Sequence, residues 1–166
     1  MARYFKTVSS PVGTLKLVAS DKGLAAVLWE NEDPKRLRLG EAEERPDHPV
    51  LVEAERQLGA YFAGELTRFD IALDLVGTEF QKKVWAALLE IPFGETRSYG
   101  QIAAQLGKPA TARAVGAANG RNPISIIAPC HRLIGSDGSL TGFAGGLGSK
   151  RYLLDLESAV AKVATS

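Results

Sequence analysis

Cys130 is the only cysteine among 166 residues, and His131, one of only two histidines, follows it directly. The thiolate is the reactive form of cysteine, and a neighbouring imidazole or cation favours it over the neutral thiol, whose ordinary pKa is about 8.5. Arg132 supplies a permanent cation two residues on, and Pro129 fixes φ and removes a backbone donor just before the sulfur. Ile126, Ile127, Ala128, Leu133 and Ile134 flank the group, so the segment is expected to run into a core and present one thiol and one imidazole at a cavity floor. A lone cysteine is by default a small buried hydrophobe, but proline and arginine beside it are odd choices for an inert core. Glu157 stands where the last helix is expected to end, a place where a carboxylate opposes the helix dipole unless a partner holds it. His131 is the candidate partner. In a Cys-His-Glu relay Glu157 orients His131, and His131 takes the Cys130 proton directly or through a water. Neighbours in an extended segment point to opposite sides, which makes the water bridge the expected form. Such a relay serves acyl transfer or alkyl transfer, and these residues leave both open.

Composition excludes several other chemistries. One cysteine rules out an internal disulfide and a cysteine-cluster metal site, and His48 and His131 lack metal-ligand spacing, so neither metal nor cofactor is expected. With 45% hydrophobic and 23% charged residues, no long apolar run and no signal-like N-terminus, the chain reads as a cytoplasmic, membrane-free monomer. Its charge is uneven: residues 1–76 carry ten Lys or Arg against thirteen Asp or Glu, a net of −3, and residues 77–166 carry ten against six, a net of +4. Between Glu95 and Asp137 no acidic residue occurs, while Arg97, Lys108, Arg113, Arg121 and Arg132 all do. An acid-free window around the thiol suits a polyanion, although an Ala/Gly-rich segment produces one by chance as well.

The elements that must position these groups form an α+β chain with two domains, residues 1–76 and 77–166. Apolar stretches at 4–8, 14–19 and 24–29, parted by turn-forming clusters, predict an antiparallel meander. Residues 31–47 read as a surface loop, residues 49–64 as an amphipathic helix, and Phe69, Ile71, Leu73 and Leu75 as a fourth strand. Beyond Gly77 no further strand pattern is found. Thr78 with Gln81 and Ser98 with Gln101 form capping boxes that start two helices. A turn through Lys108, Pro109 and Ala110 leads to a third, over 111–119 and closed by Gly120, which gives the outline of a helix-turn-helix. An ordinary αα-corner has the same outline. The third helix is built of Ala and Gly around Arg113, so it offers few side chains to read base edges but allows close approach to a duplex backbone or minor groove. DNA binding with little sequence preference follows. The loop Thr141, Gly142, Phe143, Ala144, Gly145 and Gly146 can bring backbone N–H groups to a planar ligand. A helix over 147–157 ends the fold, with a frayed tail expected from Ser158.

Pro129-Cys130-His131-Arg132, with Asn122-Pro123, Ala112-Arg113-Ala114-Val115-Gly116, the glycine loop and Glu157, closely resembles the O6-alkylguanine-DNA alkyltransferases, or methylated-DNA–protein-cysteine methyltransferases. The resemblance covers the second half from about Thr78, and residues 1–76 match in general plan only. It implies direct-reversal repair of double-stranded DNA bearing O6-alkylguanine: Cys130 takes the alkyl group irreversibly, once per molecule, from a nucleotide flipped out of the duplex. His131 would be the base through a bridging water, Glu157 its orienter, Tyr99 the donor to the departing guanine, and Asn122 the brace of the turn. Arg113 would fill the place of the flipped nucleotide, with Ser98, Thr111, Gly116 and Arg132 on the DNA-contacting side. Thr141, Gly142, Phe143, Ala144 and Gly145 would line the base pocket. Phe143 stands where several members carry Tyr, Ala144 where some carry Ser, and Leu133 where Val is more usual. These departures bear on alkyl size and on bulky guanine inhibitors rather than on reaction class, and methyl is the expected adduct. A cysteine hydrolase on Cys130 and His131 and a non-catalytic alkylated-DNA-binding protein are the competing readings. Against them stand a missing oxyanion signature and the presence of the cysteine itself.

Overall fold

Ser10-Pro11-Val12-Gly13 and Ser20-Asp21-Lys22-Gly23 reverse the chain twice, with Gly13 at φ 101°, and leave three strands: β1 (Tyr4–Val8), β2 (Leu15–Ser20) and β3 (Gly23–Trp29). The structure is a computed structural model that describes residues 2–30, 32, 37, 39–107, 111–140 and 143–165, the last three in backbone only. The expected turn residues Lys108, Pro109 and Ala110 lie outside the described residues. By contact the chain divides into two compact units, Met1–Val76 and Gly77–Ser166.

In the first unit β1 and β2 pair antiparallel with Thr7 opposite Lys16, and β2 and β3 with Leu17 opposite Val27. Helix α1 (Pro49–Phe62) lays Leu51, Ala54, Leu58 and Tyr61 on this sheet, where Leu15, Leu17 and Val27 are wholly buried. Each such leucine contributes about 1.5–3 kcal/mol by leaving water. The segment read as loop supplies a two-residue strand, β4 (Glu43–Glu44), parallel to β1. The stretch with Phe69, Ile71, Leu73 and Leu75 is not a strand: it meets β3 at one bridge, Leu24 to Leu73. The reason lies in its backbone, since the Gln57 side chain bonds both N and O of Asp70 (2.9 and 2.7 Å) and so takes the place of a ladder neighbour. Gly23 is needed at the bridge, because a Cβ there would come within 2.6 Å of the Ala72 carbonyl oxygen.

The second unit contains α2 (Glu79–Leu89), α3 (Tyr99–Leu106), α4 (Ala112–Gly120) and α5 (Leu147–Thr165). Both capping boxes form, on Thr78 and on Ser98, and Thr111 caps α4 through its hydroxyl. The buried indole of Trp85 donates to the Ala118 carbonyl at 2.9 Å, which pins α2 to α4, and α3 packs on α4 as well. Contrary to expectation this unit also holds strands: β5 (Arg97–Ser98) and β6 (Leu133–Ile134) pair in parallel, too short to leave an alternating pattern. Helix α5 runs well past Ser158, because no Gly or Pro follows Glu157 to stop it. Among the described residues no helix is long and apolar enough to cross a membrane, and no group of His, Cys, Asp or Glu is placed to hold a metal ion.

Candidate active site

The turn before the cysteine is built around Asn122. Its Nδ2 donates to Ala128 O (2.8 Å), and its Oδ1 accepts from Ile124 N (3.1 Å), so a buried side chain satisfies backbone groups that no helix or sheet reaches. Within this turn Ile126 has φ 76°, a left-handed conformation that costs a β-branched residue on the order of 1–3 kcal/mol. The strain falls four residues before the sulfur. Cys130, His131 and Arg132 then form one turn of 3₁₀ helix instead of the extended segment expected, so their side chains fan out rather than alternate.

All three are buried. Cys130 is 4% exposed, and its Sγ lies 3.9 Å from the Ser125 hydroxyl, to which it donates. His131 is fully buried, with Nε2 2.7 Å from Glu157 Oε2. Among the described residues its Nδ1 has no hydrogen-bond partner. Glu157 is therefore not an end-of-helix carboxylate facing a dipole: it lies inside α5, buried, and its partner is the predicted one plus two others. Arg132 donates through Nε to Oε1 (2.7 Å) and through Nη2 to Oε2 (2.9 Å), and Gly94 N donates to Oε1 at 3.4 Å. Burial pushes the Glu157 carboxyl up, but hydrogen bonds from His131 and Arg132 and their charges outweigh it and hold the group at about 2. Burial lowers His131 below its usual range; Glu157 opposes this, while Arg132 and Lys150 add to it. The site therefore favours a neutral imidazole beside an ionised carboxylate.

Arg132 needs a correction. Expected on the DNA-contacting side, it is 7% exposed and turned inward, with Nη1 bonded to Ile91 O (2.6 Å) and its guanidinium 5.6 Å from the Phe93 ring. The other expected residues fall into smaller groups. Tyr99 is half-buried at the start of α3, with its ring 3.7 Å from where a Cβ on Gly116 would stand, so those two meet. Ser98 caps α3 and pairs with Ile134 across β5 and β6. Thr111 and Arg113 are exposed at the start of α4. Phe143, Ala144 and Gly145 are partly buried, whereas Thr141 and Gly142 lie outside the described residues.

Two further residues, which the sequence does not single out, belong to the site. Lys150 is wholly buried, with Nζ donating to Leu133 O at 2.5 Å and lying 5.9 Å from the Phe143 ring centre. Burial lowers its pKa, and attraction to Cys130 opposes the shift. The seven-residue step from Lys150 to Glu157 places both on one helical face, which was a usable signal. Ser125, at the sulfur, left none. A hollow of about 280 Å³ opens beside this region between Ser98, Gln101, Ile134 and Ser136. The larger cavity, about 650 Å³, belongs to the first unit and is lined by Thr7, Lys16, Trp29 and Glu30 among others, with no cysteine or histidine in its lining, so size does not mark the chemistry.

Comparison with known proteins bears on the whole chain. Residues 79–159 match the family model of the 6-O-methylguanine DNA methyltransferase DNA binding domain, and residues 3–75 that of the ribonuclease-like domain of the same proteins. A methylated-DNA–protein-cysteine methyltransferase of Mycobacterium bovis is 53% identical over 93% of this chain and 92% of its own. One of Methanosarcina barkeri is 51% identical over 93% and 96%. The crystal structure of Mycobacterium tuberculosis OGT in complex with DNA superposes with a TM-score of 0.85 at 50% identity, covering 95% of this chain and 94% of that one.

Proposed function

This chain belongs to the 6-O-methylguanine DNA methyltransferase family, and on that premise we propose that it repairs alkylated DNA by direct reversal, with Cys130 as the acceptor. Sγ attacks the alkyl carbon, an S–C bond forms as the C–O6 bond breaks, and the electron pair leaves on the guanine. The protein ends as an S-alkylcysteine that no later step regenerates, so one molecule repairs one lesion. The observation that carries this reading is a buried sulfur followed directly by a buried imidazole hydrogen-bonded to an ionised carboxylate.

Each group has a physical part. His131 receives the thiol proton on Nδ1 through a bridging water, because Nε2 is committed to Glu157. Tyr99, on the capped start of α3, offers its hydroxyl to the base as negative charge develops there. Arg113, exposed on a helix of Ala and Gly, enters the stack in place of the flipped nucleotide, while Thr111, Gly116 and Ser98 lie against the backbone. Phe143, Ala144 and Gly145 line the pocket. Helices α3 and α4 serve as a helix-turn-helix that grips the duplex with little regard for sequence, since α4 carries few base-reading side chains. The protein is a monomer in solution and its partner is double-stranded DNA. Intact mass after mixing with an O6-methylguanine duplex is the test. One methyl added per molecule, absent in Cys130→Ser, is expected; many equivalents consumed without a mass change would point to turnover and a different chemistry.

A further inference from the structure

Resting on that reading, we infer that Arg132 is a positioning residue that clamps Glu157 and keeps His131 neutral, ready to accept the proton of Cys130. Its guanidinium engages both oxygens of the carboxylate, at 2.7 and 2.9 Å, and the second, Oε2, is the one that His131 Nε2 contacts at 2.7 Å. One ionised carboxylate thus serves two nitrogen donors, of which Arg132 is always charged.

The charge count decides the outcome. Arg132 and Glu157 cancel, so a neutral imidazole leaves that pair balanced, whereas an imidazolium adds a positive charge beside Arg132 and Lys150 where His131 is fully buried. With Glu157 alone the balance reverses, because an unopposed carboxylate at 2.7 Å would hold the ring as imidazolium, with no lone pair left for the thiol proton. Arg132 removes that pull and keeps the orientation: Nε2–H points at Oε2, and Nδ1 is the free acceptor among the described residues. Among the described residues, the charged groups acting on His131 are Glu157 and Lys150 from α5 and Arg132 from its own turn, and Cys130 in turn acts on Lys150. Lys150 acts in the same sense as Arg132 but donates to Leu133 O, so the hold on the carboxylate falls to the guanidinium. Ile91 O and the Phe93 ring fix that guanidinium from the end of α2 and the loop beyond it. A DNA contact would need these donors outside, and they point in.

The experiment compares wild type with Arg132→Met and Arg132→Lys in three measurements: the pH profile of Cys130 alkylation by iodoacetamide, the pH profile of single-turnover methyl transfer from an O6-methylguanine duplex, and affinity for that duplex. Arg132→Met is expected to move the acidic limb of both profiles upward by about one pH unit or more, a tenfold rise in proton affinity of the base, with duplex affinity held within about twofold. Arg132→Lys, which keeps the charge, holds the limb near the wild-type position. An unmoved limb in Arg132→Met, or a tenfold loss of affinity with the limb unmoved, overturns the inference. Should Arg132→Met fail to fold, the ¹⁵N shifts of His131 in the wild type decide: a neutral Nε2–H ring at pH 7 is expected, and an imidazolium at that pH is the contrary result. A wild type that reacts with iodoacetamide but takes no methyl from DNA defeats the repair reading, while the thiol profile still decides the part played by Arg132.

Discussion

The two units treat buried polarity in different ways. In residues 2–76 polar side chains enter the interior singly and serve nearby backbone: His48 caps α1 by accepting from Val50 N, and Gln57 bonds the backbone of Asp70. In residues 77–165 His131, Arg132, Lys150 and Glu157 are buried within one turn and one helix face. Folding explains the first pattern, because each group satisfies a backbone donor or acceptor that would otherwise be orphaned. It does not explain the second. Buried ions lose more by desolvation than they commonly regain by pairing, so hydrocarbon of similar volume would stabilise the fold as well or better. The difference teaches that the second unit gives up stability to hold a buried charge cluster next to its sulfur, and the strained φ of Ile126 points the same way.

The sharpest way to break that contrast is to remove the carboxylate. Glu157→Ala is expected to lower unfolding free energy by about 3–5 kcal/mol in urea denaturation, through the buried Arg132 cation it strands, and to slow methyl transfer at least about a hundredfold. A variant as stable as wild type would mean that the cluster is not a coupled unit. Leu51→Ala in the first unit should cost about 2–5 kcal/mol by cavity formation, yet leave the single-turnover rate of the folded protein unchanged. If that rate falls with stability, the division of labour between the units is lost.

Acid sharpens the comparison further. Glu157 titrates in the folded protein at about 2 against a usual 4.5, so its stabilisation is complete above the unfolded value and disappears as pH falls toward 2, on the order of 3 kcal/mol in all. His131 is lowered from 6.5, so the unfolded chain binds its proton first and stability already declines as pH drops below that value. Urea midpoints measured from pH 8 to pH 3 should therefore fall in two stages. A midpoint that stays flat between pH 7 and pH 5 contradicts a neutral buried imidazole. The smallest effect belongs to the first unit: His48→Ala removes an N-cap and should cost about 1 kcal/mol, the exposed Asp21 at its other nitrogen adding little. Thermal unfolding of the two proteins at pH 7 is the check.

Local rules made much of the fold legible. The capping boxes on Thr78 and Ser98 and the two hairpin turns each lie within four residues, and each forms. Strands β5 and β6 left no trace, because two residues are too few for alternation and their partners are remote in sequence. A fourth strand fails for the opposite reason: the alternation from Phe69 to Leu75 is real, but Gln57 occupies the N–H and C=O of Asp70 and only the bridge at Leu24 remains. Glu157 was paired with His131 on sequence grounds, though as a carboxylate at a helix end, which it is not.

By itself the sequence determined which atoms could react, since a single sulfur beside an imidazole is a matter of composition and adjacency. It also determined the helices that carry Tyr99 and Arg113, whose start signals are local. Only the tertiary structure decided where the charges go. Arg132 looks the same in sequence whether it meets phosphate or carboxylate, and Lys150 looks like any helix-surface lysine. Burial and pairing depend on groups brought together from distant parts of the chain, and it is those neighbours, not the residue's own identity, that set whether a cation binds DNA, cages a carboxylate or keeps an imidazole neutral.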